Sequence, residues 1–465
     1  MTSIHVIKRK DKYIVFNPES LSLYSVTDDI GKILESYESR LENLPENMGS
    51  IGVDITRLLG SFDDKVNCGT CESKSWAKKA PKTLCLIISH DCNLRCGYCF
   101  ADHGTFGGEK RLMSFETAKE CIDKFLDKKS NNFILFFGGE PFLNYPLMKD
   151  AVEYGSRKGL DIKYTTITNG TIMDNSIKEF IHKNFFALQI SLDGPKDIND
   201  LQRYGRVESV HDRALETLGQ LKSRNYPLSI KFIITKNSIN KLNTIIEYLS
   251  SLGVGSITFA EASLLPKDSK FFILDTEYTN CIAELSLILV RNLDQLASGN
   301  KTPVFVPIFD ILRSLTTKKR KVNYCSAGRE YVAVTAKGDV YPCHGFVGMD
   351  EFKMGNVHDQ DFPGESYATI RDIFANINVN TSEECSSCWA RFLCGGDCAA
   401  HSYIYNNDLS KPTKRRCIMA KSMLKALLPE IAETFQDNTK MQNIIKRLER
   451  SGSVTQNPLP NDLLS

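Results

Sequence analysis

The stretch Cys-Asn-Leu-Arg-Cys-Gly-Tyr-Cys-Phe, Cys92 to Phe100, constrains this chain more than any other. Its thiols, Cys92, Cys96 and Cys99, are spaced C-x3-C-x2-C. Cysteine sulfur binds iron–sulfur clusters at such close, loop-like separations. Three thiolates hold three irons of a [4Fe–4S] cube and leave the fourth iron without a protein ligand. Taken alone, three close cysteines also suit a zinc knuckle or a set of buried thiols, so the rest of the chain has to decide.

The sequence holds 15 cysteines in 465 residues, most of them in tight groups. The amino terminus, Met1-Thr-Ser-Ile-His-Val-Ile-Lys-Arg-Lys10, lacks the order of a secretory signal. Disulfides are uncommon in reducing cytosol, where grouped cysteines point to metal or catalysis. The expectation is therefore a cytoplasmic iron–sulfur protein from a low-oxygen setting. No apolar run approaches the length of a membrane span. A formal net charge of +2 argues against nucleic acid or an acidic membrane surface as a partner.

Residues 1–80 read as a small unit of their own. Ile4–Lys8, Tyr13–Phe16 and Leu21–Val26 have strand patterns, with Asn17-Pro-Glu-Ser20 as a turn, which predicts a three-stranded meander. Thr27-Asp-Asp29 caps a helix carrying Ile30, Ile33 and Leu34, and a second short helix is expected around Ile55–Leu59. Cys68-x2-Cys71 and the basic stretch Lys74–Lys82 form a linker, the thiols being a redox pair, stray ligands or free. From about residue 84 strands and helices alternate. Strands are expected at 84–90, 133–137, 162–168, 186–191, 228–234 and 256–260, with helices such as 114–126 and 210–224 between them. This alternation predicts an α/β fold with parallel pairing and right-handed crossovers.

Polar motifs stand where these strands end, the place at which barrel enzymes carry chemistry. Gly138-Gly139-Glu140-Pro141 follows the second strand, Thr168-Asn169-Gly170 the third and Ser191-Leu-Asp-Gly194 the fourth, with Arg203 beyond. Glycines let backbone approach a ligand closely, a carboxylate can accept from an ammonium group, and a guanidinium matches a carboxylate. Together, the cysteine motif and Gly138–Pro141 resemble the signatures of the radical S-adenosylmethionine enzymes. The resemblance implies a partial (β/α)6 TIM-like barrel over residues 81–265. It also implies S-adenosylmethionine on the open iron, its amino group held at Gly138, Gly139 and Glu140. By the same resemblance Asn169, Ser191 and Arg203 meet the ribose or the methionine carboxylate, and Tyr98 lies near adenine.

A second cysteine block follows the helical connector expected at 266–321. Cys325 precedes Gly338-Asp-Val-Tyr-Pro-Cys343, a glycine-turned hairpin, then come Cys385-x2-Cys388-x5-Cys394-x3-Cys398 and Cys417. Zinc prefers two well-separated pairs. In every spacing these seven thiols resemble the SPASM iron–sulfur domain, expected at 322–425 with a helix and tail over 426–465. The resemblance assigns Cys385, Cys388, Cys394 and Cys417 to an outer auxiliary [4Fe–4S] cluster, and Cys325, Cys343 and Cys398 to an inner one, making three clusters in all. Seven ligands are one short of eight. Either the inner cluster keeps an open iron or Cys68, Cys71, Cys85, Cys121 or Cys281 completes it.

The chain as a whole resembles enzymes that form thioether crosslinks in ribosomally made peptides (sactipeptide, ranthipeptide and six-cysteine-peptide maturases). Residues 1–80 would then be a winged-helix-like recognition element that takes up a leader peptide at a sheet edge. The implied partners are a precursor peptide and an electron donor such as flavodoxin or ferredoxin. His344 is the candidate catalytic base, standing where sulfatase-maturing relatives carry an aspartate. Carbon–carbon crosslinking, sulfatase-type maturation and a non-enzymatic electron-transfer role are the alternatives.

Overall fold

The computed structural model describes residues 4–9, 12–37, 54–55, 58, 80–128, 131–222, 226–262, 265 and 268–450. Cys68, Cys71, most of the expected helix at 55–59, most of the basic linker and the tail beyond 450 lie outside the described residues.

Strands β1 (His5–Arg9), β2 (Lys12–Asn17) and β3 (Ser22–Val26) form the expected antiparallel meander. Its β2–β3 turn is closed by Asn17, whose Oδ1 accepts the N–H groups of Glu19 and Ser20 at 2.7 and 2.9 Å, the local bonding that suits asparagine to turns. The helix Asp28–Tyr37 follows. Val6, Tyr13 and Val15 on one sheet face make a small core with Leu34. Ile7, Ile14, Phe16 and Leu21 on the other face belong to the main core of the molecule. The join is reinforced by His5 stacked on Trp389, centroids 3.8 Å apart, and by Glu19 paired with Arg320 and Arg391.

The larger sheet is built from β4 (Thr83–Ser89), β5 (Asn132–Gly138), β6 (Ile162–Thr168), β7 (Phe185–Ser191), β8 (Leu228–Ile234) and β9 (Ser256–Glu261). All are parallel and adjacent in chain order. Helices such as Phe115–Phe125, started by Ser114 accepting from the Thr117 N–H, and Val210–Lys222 connect them. Leu84, Leu86, Ile134, Phe136, Leu188, Ile190, Ile230 and Phe232 pack into the main core. Side chains alternate across a strand. The opposite, inner face therefore carries Cys85, Ile87 and Phe137 on β4–β5, and Gln189, Ser191, Ser229 and Lys231 on β7–β8.

Three strands extend this sheet beyond the expected six. Two-residue β10 (Val304–Phe305) lies parallel beside β9. At the other edge β11 (Tyr331–Val334) lies parallel beside β4, and β12 (Val340–Tyr341) returns antiparallel around Gly338. The hairpin of the second cysteine block is thus part of the same sheet as the first cysteine loop. The helix Asp275–Ala297 follows β9, and Lys414–Thr434 and Asn438–Arg450 end the described chain. Among the described residues no helix is long and apolar enough to cross a membrane.

Phe16 is buried at the junction of the two sheets. Phe16→Ala is expected to cost about 3–5 kcal/mol and to shift one shared unfolding transition, followed under anaerobic denaturant by circular dichroism and tryptophan fluorescence. Two separate transitions, with only one displaced, would show that the amino-terminal sheet folds independently.

Candidate active site

The cysteine loop leaves β4 at Ser89 and is tied down on both sides. Asp91 Oδ1 accepts the Cys92 N–H at 2.8 Å, and Arg95 and Gly97 donate their N–H groups to the carbonyls of Tyr204 and Gln202. Gly97 packs against Phe271, where a Cβ would come within 2.1 Å of the ring. Two thiols already receive backbone donors, Cys92 from Leu94 at 3.4 Å and Cys99 from His103 at 3.3 Å. Donors of this kind support thiolate ligands. Burial pushes the Cys92 thiol up to about 12, with Glu140 adding to the effect, and burial pushes Cys96 up to about 11. A cationic group in the loop is what would favour their thiolates.

The double glycine after β5 packs against this loop. The Gly139 and Glu140 N–H groups donate to the carbonyls of Ser89 and Asp91 at 2.9 and 3.0 Å. An added Cβ would lie 2.3 Å from Ser89 O at Gly138 and 2.3 Å from Asp91 O at Gly139. Glu140 is fully buried. Its carboxylate accepts from the Phe142 N–H at 3.1 Å, the Thr168 hydroxyl at 2.8 Å and the Asn169 N–H at 2.8 Å. Burial raises it to about 7, against the pull of those donors. The side chain expected to meet an ammonium group thus braces the end of β6. Asn169 donates to Asn93 Oδ1 at 2.9 Å and lies 3.9 Å from the Cys92 sulfur.

Asp193, inside the motif Ser191–Gly194, is the centre of a second knot. Its fully buried carboxylate accepts from the Tyr98 hydroxyl (2.5 Å), Arg203 Nε (2.9 Å) and Nη2 (3.2 Å), and the Ile233 N–H (3.0 Å). The guanidinium also lies over the Tyr98 ring, 5.4 Å from its centroid. Arg203 and Tyr98, expected at the carboxylate or ribose and at the adenine, are therefore engaged with Asp193. The signal was present: Asp193 lies in the motif Ser191–Gly194 at a strand end. Ser191 stands at the end of β7, in register with Lys231 on β8.

The seven later cysteines separate into two electrostatic neighbourhoods. Cys343, driven well up by burial, is further raised by Cys398 and Cys325, and Cys398 by Cys325. Cys417, driven up to about 11 by burial, is further raised by Cys394, Cys385 and Cys388. Those four thiols line one cavity with Arg416, which donates to the Cys394 carbonyl and lies 3.5 Å from its sulfur. The structure thus brings Cys325, Cys343 and Cys398 near one another, and likewise Cys385, Cys388, Cys394 and Cys417. Among the described residues no three His, Cys, Asp or Glu side chains converge tightly enough to share one metal ion. Four thiols lining one cavity are the all-sulfur donor set that an iron–sulfur cube takes. The residues fit clusters.

Beside the inner set, His344 lies against Phe137, centroids 4.6 Å apart, with Nδ1 2.9 Å from the Tyr331 hydroxyl. Burial lowers it to about 4, and Lys231 on β8 lowers it further. Phe137 and Lys231 belong to strands three places apart, roughly 14 Å in a flat sheet. His344 thus touches the β5 side of the inner face and feels the charge carried on β8. Of the spare thiols, Cys121 and Cys281 are buried in the main core. Cys85 faces inward beside Tyr331 and within electrostatic reach of Cys343.

Residues 86–249 match the Radical SAM superfamily, and residues 325–389 match the SPASM iron–sulfur cluster-binding domain. An uncharacterized protein of Methanocaldococcus jannaschii is 30% identical over 60% of this chain and 90% of its own length. A cysteine-type anaerobic sulfatase-maturating enzyme of Clostridium perfringens is 26% identical over 68% and 88%. Among solved structures, native anSMEcpe with bound AdoMet and Cp18Cys peptide superimposes with a TM-score of 0.65 at 22% identity, covering 77% of this chain and all of that one. Streptococcus suis SuiB bound to precursor peptide SuiA gives 0.53 at 15% identity, covering 90% of this chain and all of that one.

Asp193→Ala would leave the Arg203 guanidinium buried without its counter-charge. It is expected to cost about 3–5 kcal/mol and to lower iron retained after anaerobic reconstitution, with Asp193→Asn milder on both measures. Equal stability of the alanine variant and the wild type by urea titration would remove Asp193 from its place as the knot.

Proposed function

Because the chain belongs to the radical SAM superfamily and carries a SPASM domain, we propose that it is a peptide maturase that installs intramolecular thioether crosslinks between a cysteine sulfur and a carbon of a ribosomally made precursor. The observation that carries this reading is the separation of the seven later cysteines into a set of four and a set of three, the set of three lying beside His344 and Tyr331 at the inner face of the sheet. In this reading Cys92, Cys96 and Cys99 hold the first [4Fe–4S] cluster, Cys385, Cys388, Cys394 and Cys417 the outer one, and Cys325, Cys343 and Cys398 the inner one.

When bound, the first cluster and S-adenosylmethionine supply a 5′-deoxyadenosyl radical that abstracts hydrogen from the peptide. The chain's own residues position what that chemistry needs. The backbone of Gly138–Glu140 is held against Ser89 and Asp91 at a place where a larger side chain would collide, and Asn169 presents its amide beside Cys92 and Asn93. Tyr331 and Phe137 fix the His344 ring, so that it can take the thiol proton as the C–S bond forms. Each crosslink removes two hydrogens from the peptide, one as an atom and one as a proton, and a surplus electron leaves toward the carboxy-terminal domain.

The unit of residues 1–80 is the leader-binding element in this reading, with the outer edge of β3 as the strand to which a leader would add. SuiB, which was crystallised with its precursor peptide, superimposes over more of this chain than anSMEcpe does, and that supports a peptide-recognition role. A second reading is sulfatase-type maturation of a single residue without a crosslink, favoured by the identity to the Clostridium enzyme.

Co-expression with a short, cysteine-bearing precursor peptide tests both. The expected product is lighter by two hydrogens per bond and has lost one free thiol for each. A cysteine-free product with the same loss would indicate carbon–carbon crosslinking instead. Cys92→Ala is expected to abolish deoxyadenosine formation. Cys325→Ala is expected to retain it while crosslinked peptide falls more than tenfold, measured by liquid chromatography and mass spectrometry.

A further inference from the structure

The inner face of the sheet carries a cation that the site described so far does not use. Lys231 lies on β8, whose alternate residues Leu228, Ile230, Phe232 and Ile234 are all buried in the main core. Strand alternation turns Lys231 the other way, onto the face that carries Ser191 beside it in register. The same face holds a polar strip in which Gln189 Nε2 donates to Ser229 at 3.3 Å and to Thr258 at 3.5 Å. Across the sheet, the inner face of β4 and β5 is apolar, with Ile87 and Phe137.

No described residue accepts a hydrogen bond from the Lys231 ammonium or pairs with it. The charged neighbour it feels is another cation, Arg203, and the group that feels its charge from across the face is His344. Arg203 is already matched by Asp193. An ammonium brings three donors and strong desolvation costs into such a place. Burial accordingly pulls Lys231 below the ordinary lysine range. The side chain is half-buried on this face, and nothing among the described side chains pairs with its charge.

We propose that Lys231 is the carboxylate seat of the inner face, the group that pairs with an anionic oxygen of a bound ligand at the level of Ser191. The proposal deepens the reading above and rests on it for the identity of the cofactor. Two ligands bring a carboxylate there: the methionine end of S-adenosylmethionine, and an acidic side chain or carboxy terminus of the peptide. The Nε and Nη2 groups of Arg203 are committed to Asp193, so Lys231 is the inner-face cation with all its donors free.

The test is binding, which is read whether or not any crosslink forms. Anaerobically reconstituted wild type, Lys231→Met and Lys231→Arg are titrated calorimetrically with three probes: S-adenosylmethionine, its decarboxylated analogue, and N-acetylglutamate with the cofactor at saturation. If the seat serves the cofactor, the methionine variant binds S-adenosylmethionine at least tenfold more weakly, the decarboxylated analogue is unaffected, and arginine restores most of the loss. If it serves the peptide, cofactor affinity is unchanged and N-acetylglutamate binding falls at least tenfold in the methionine variant. Lys231→Met is also expected to melt no lower than the wild type, since it removes a half-buried charge that no described side chain pairs with. Equal affinity of the methionine variant for both carboxylate probes, failure of N-acetylglutamate to bind the wild type with cofactor affinity unchanged, or a lower melting temperature would each overturn the proposal.

Discussion

Two carboxylates, Glu140 and Asp193, are buried completely at the ends of the parallel strands. Each accepts hydrogen bonds mainly from segments distant in sequence. Glu140 joins the end of β5 to Thr168 and Asn169 at the end of β6. Asp193 joins the end of β7 to β8 through Ile233, to the cysteine loop through Tyr98, and to the segment after β7 through Arg203. Stripping such a group of its donors costs several kcal/mol. The strand ends therefore cannot drift apart without exposing a bare charge to an apolar interior. The cysteine loop buries Leu94 and Tyr98 and draws further rigidity from these two carboxyl groups.

The parallel sheet makes this arrangement possible because every strand of β4–β9 delivers its carboxyl end to the same edge. It also sets the relation between the two cysteine blocks. Cys92 follows β4 directly, and Cys343 follows β12, which pairs with β11, itself hydrogen-bonded to β4. Three neighbouring strands thus fix the separation of the first cysteine loop from the hairpin of the second. A connection through backbone ladders holds that separation more tightly than a flexible linker between domains would. In the proposed reading, electron exchange between the sites and placement of a peptide between them would both depend on such a fixed distance.

Most of the sheet could be read in advance, because β4 to β9 are apolar runs at regular spacing separated by amphipathic helices. The cysteine groups could be read because ligand spacing survives any fold. What escaped was set by tertiary partners. Val304 and Phe305 form too short a strand to carry a period. Tyr331–Val334 reads as apolar filler until β4 lies beside it. Glu140 and Arg203 could be picked out by their charge, but a sequence does not show that the Thr168 hydroxyl and the Asp193 carboxylate also meet them. Lys231 was invisible for the opposite reason: a lysine within a strand looks like an exposed residue until its neighbours show that the inner face encloses it.

The amino-terminal sheet bears on how a peptide would be delivered. A leader held by a loosely tethered module acts by raising effective concentration, and the linker length then sets the gain. Here Ile7, Ile14, Phe16 and Leu21 share the main core, and the sheet is clamped to the outer cysteine loop through His5 on Trp389 and Glu19 on Arg391. A docked strand edge has a fixed distance to the inner face of the larger sheet. An extended peptide advances by about 3.3 Å per residue, so that distance would measure out how many residues separate the leader from the reacting carbon. Selection among candidate sites on one peptide then follows from geometry as well as from side-chain recognition. It also follows that removing residues 1–80 would open the main core, so that loss of activity in such a truncation reports on stability before it reports on recognition.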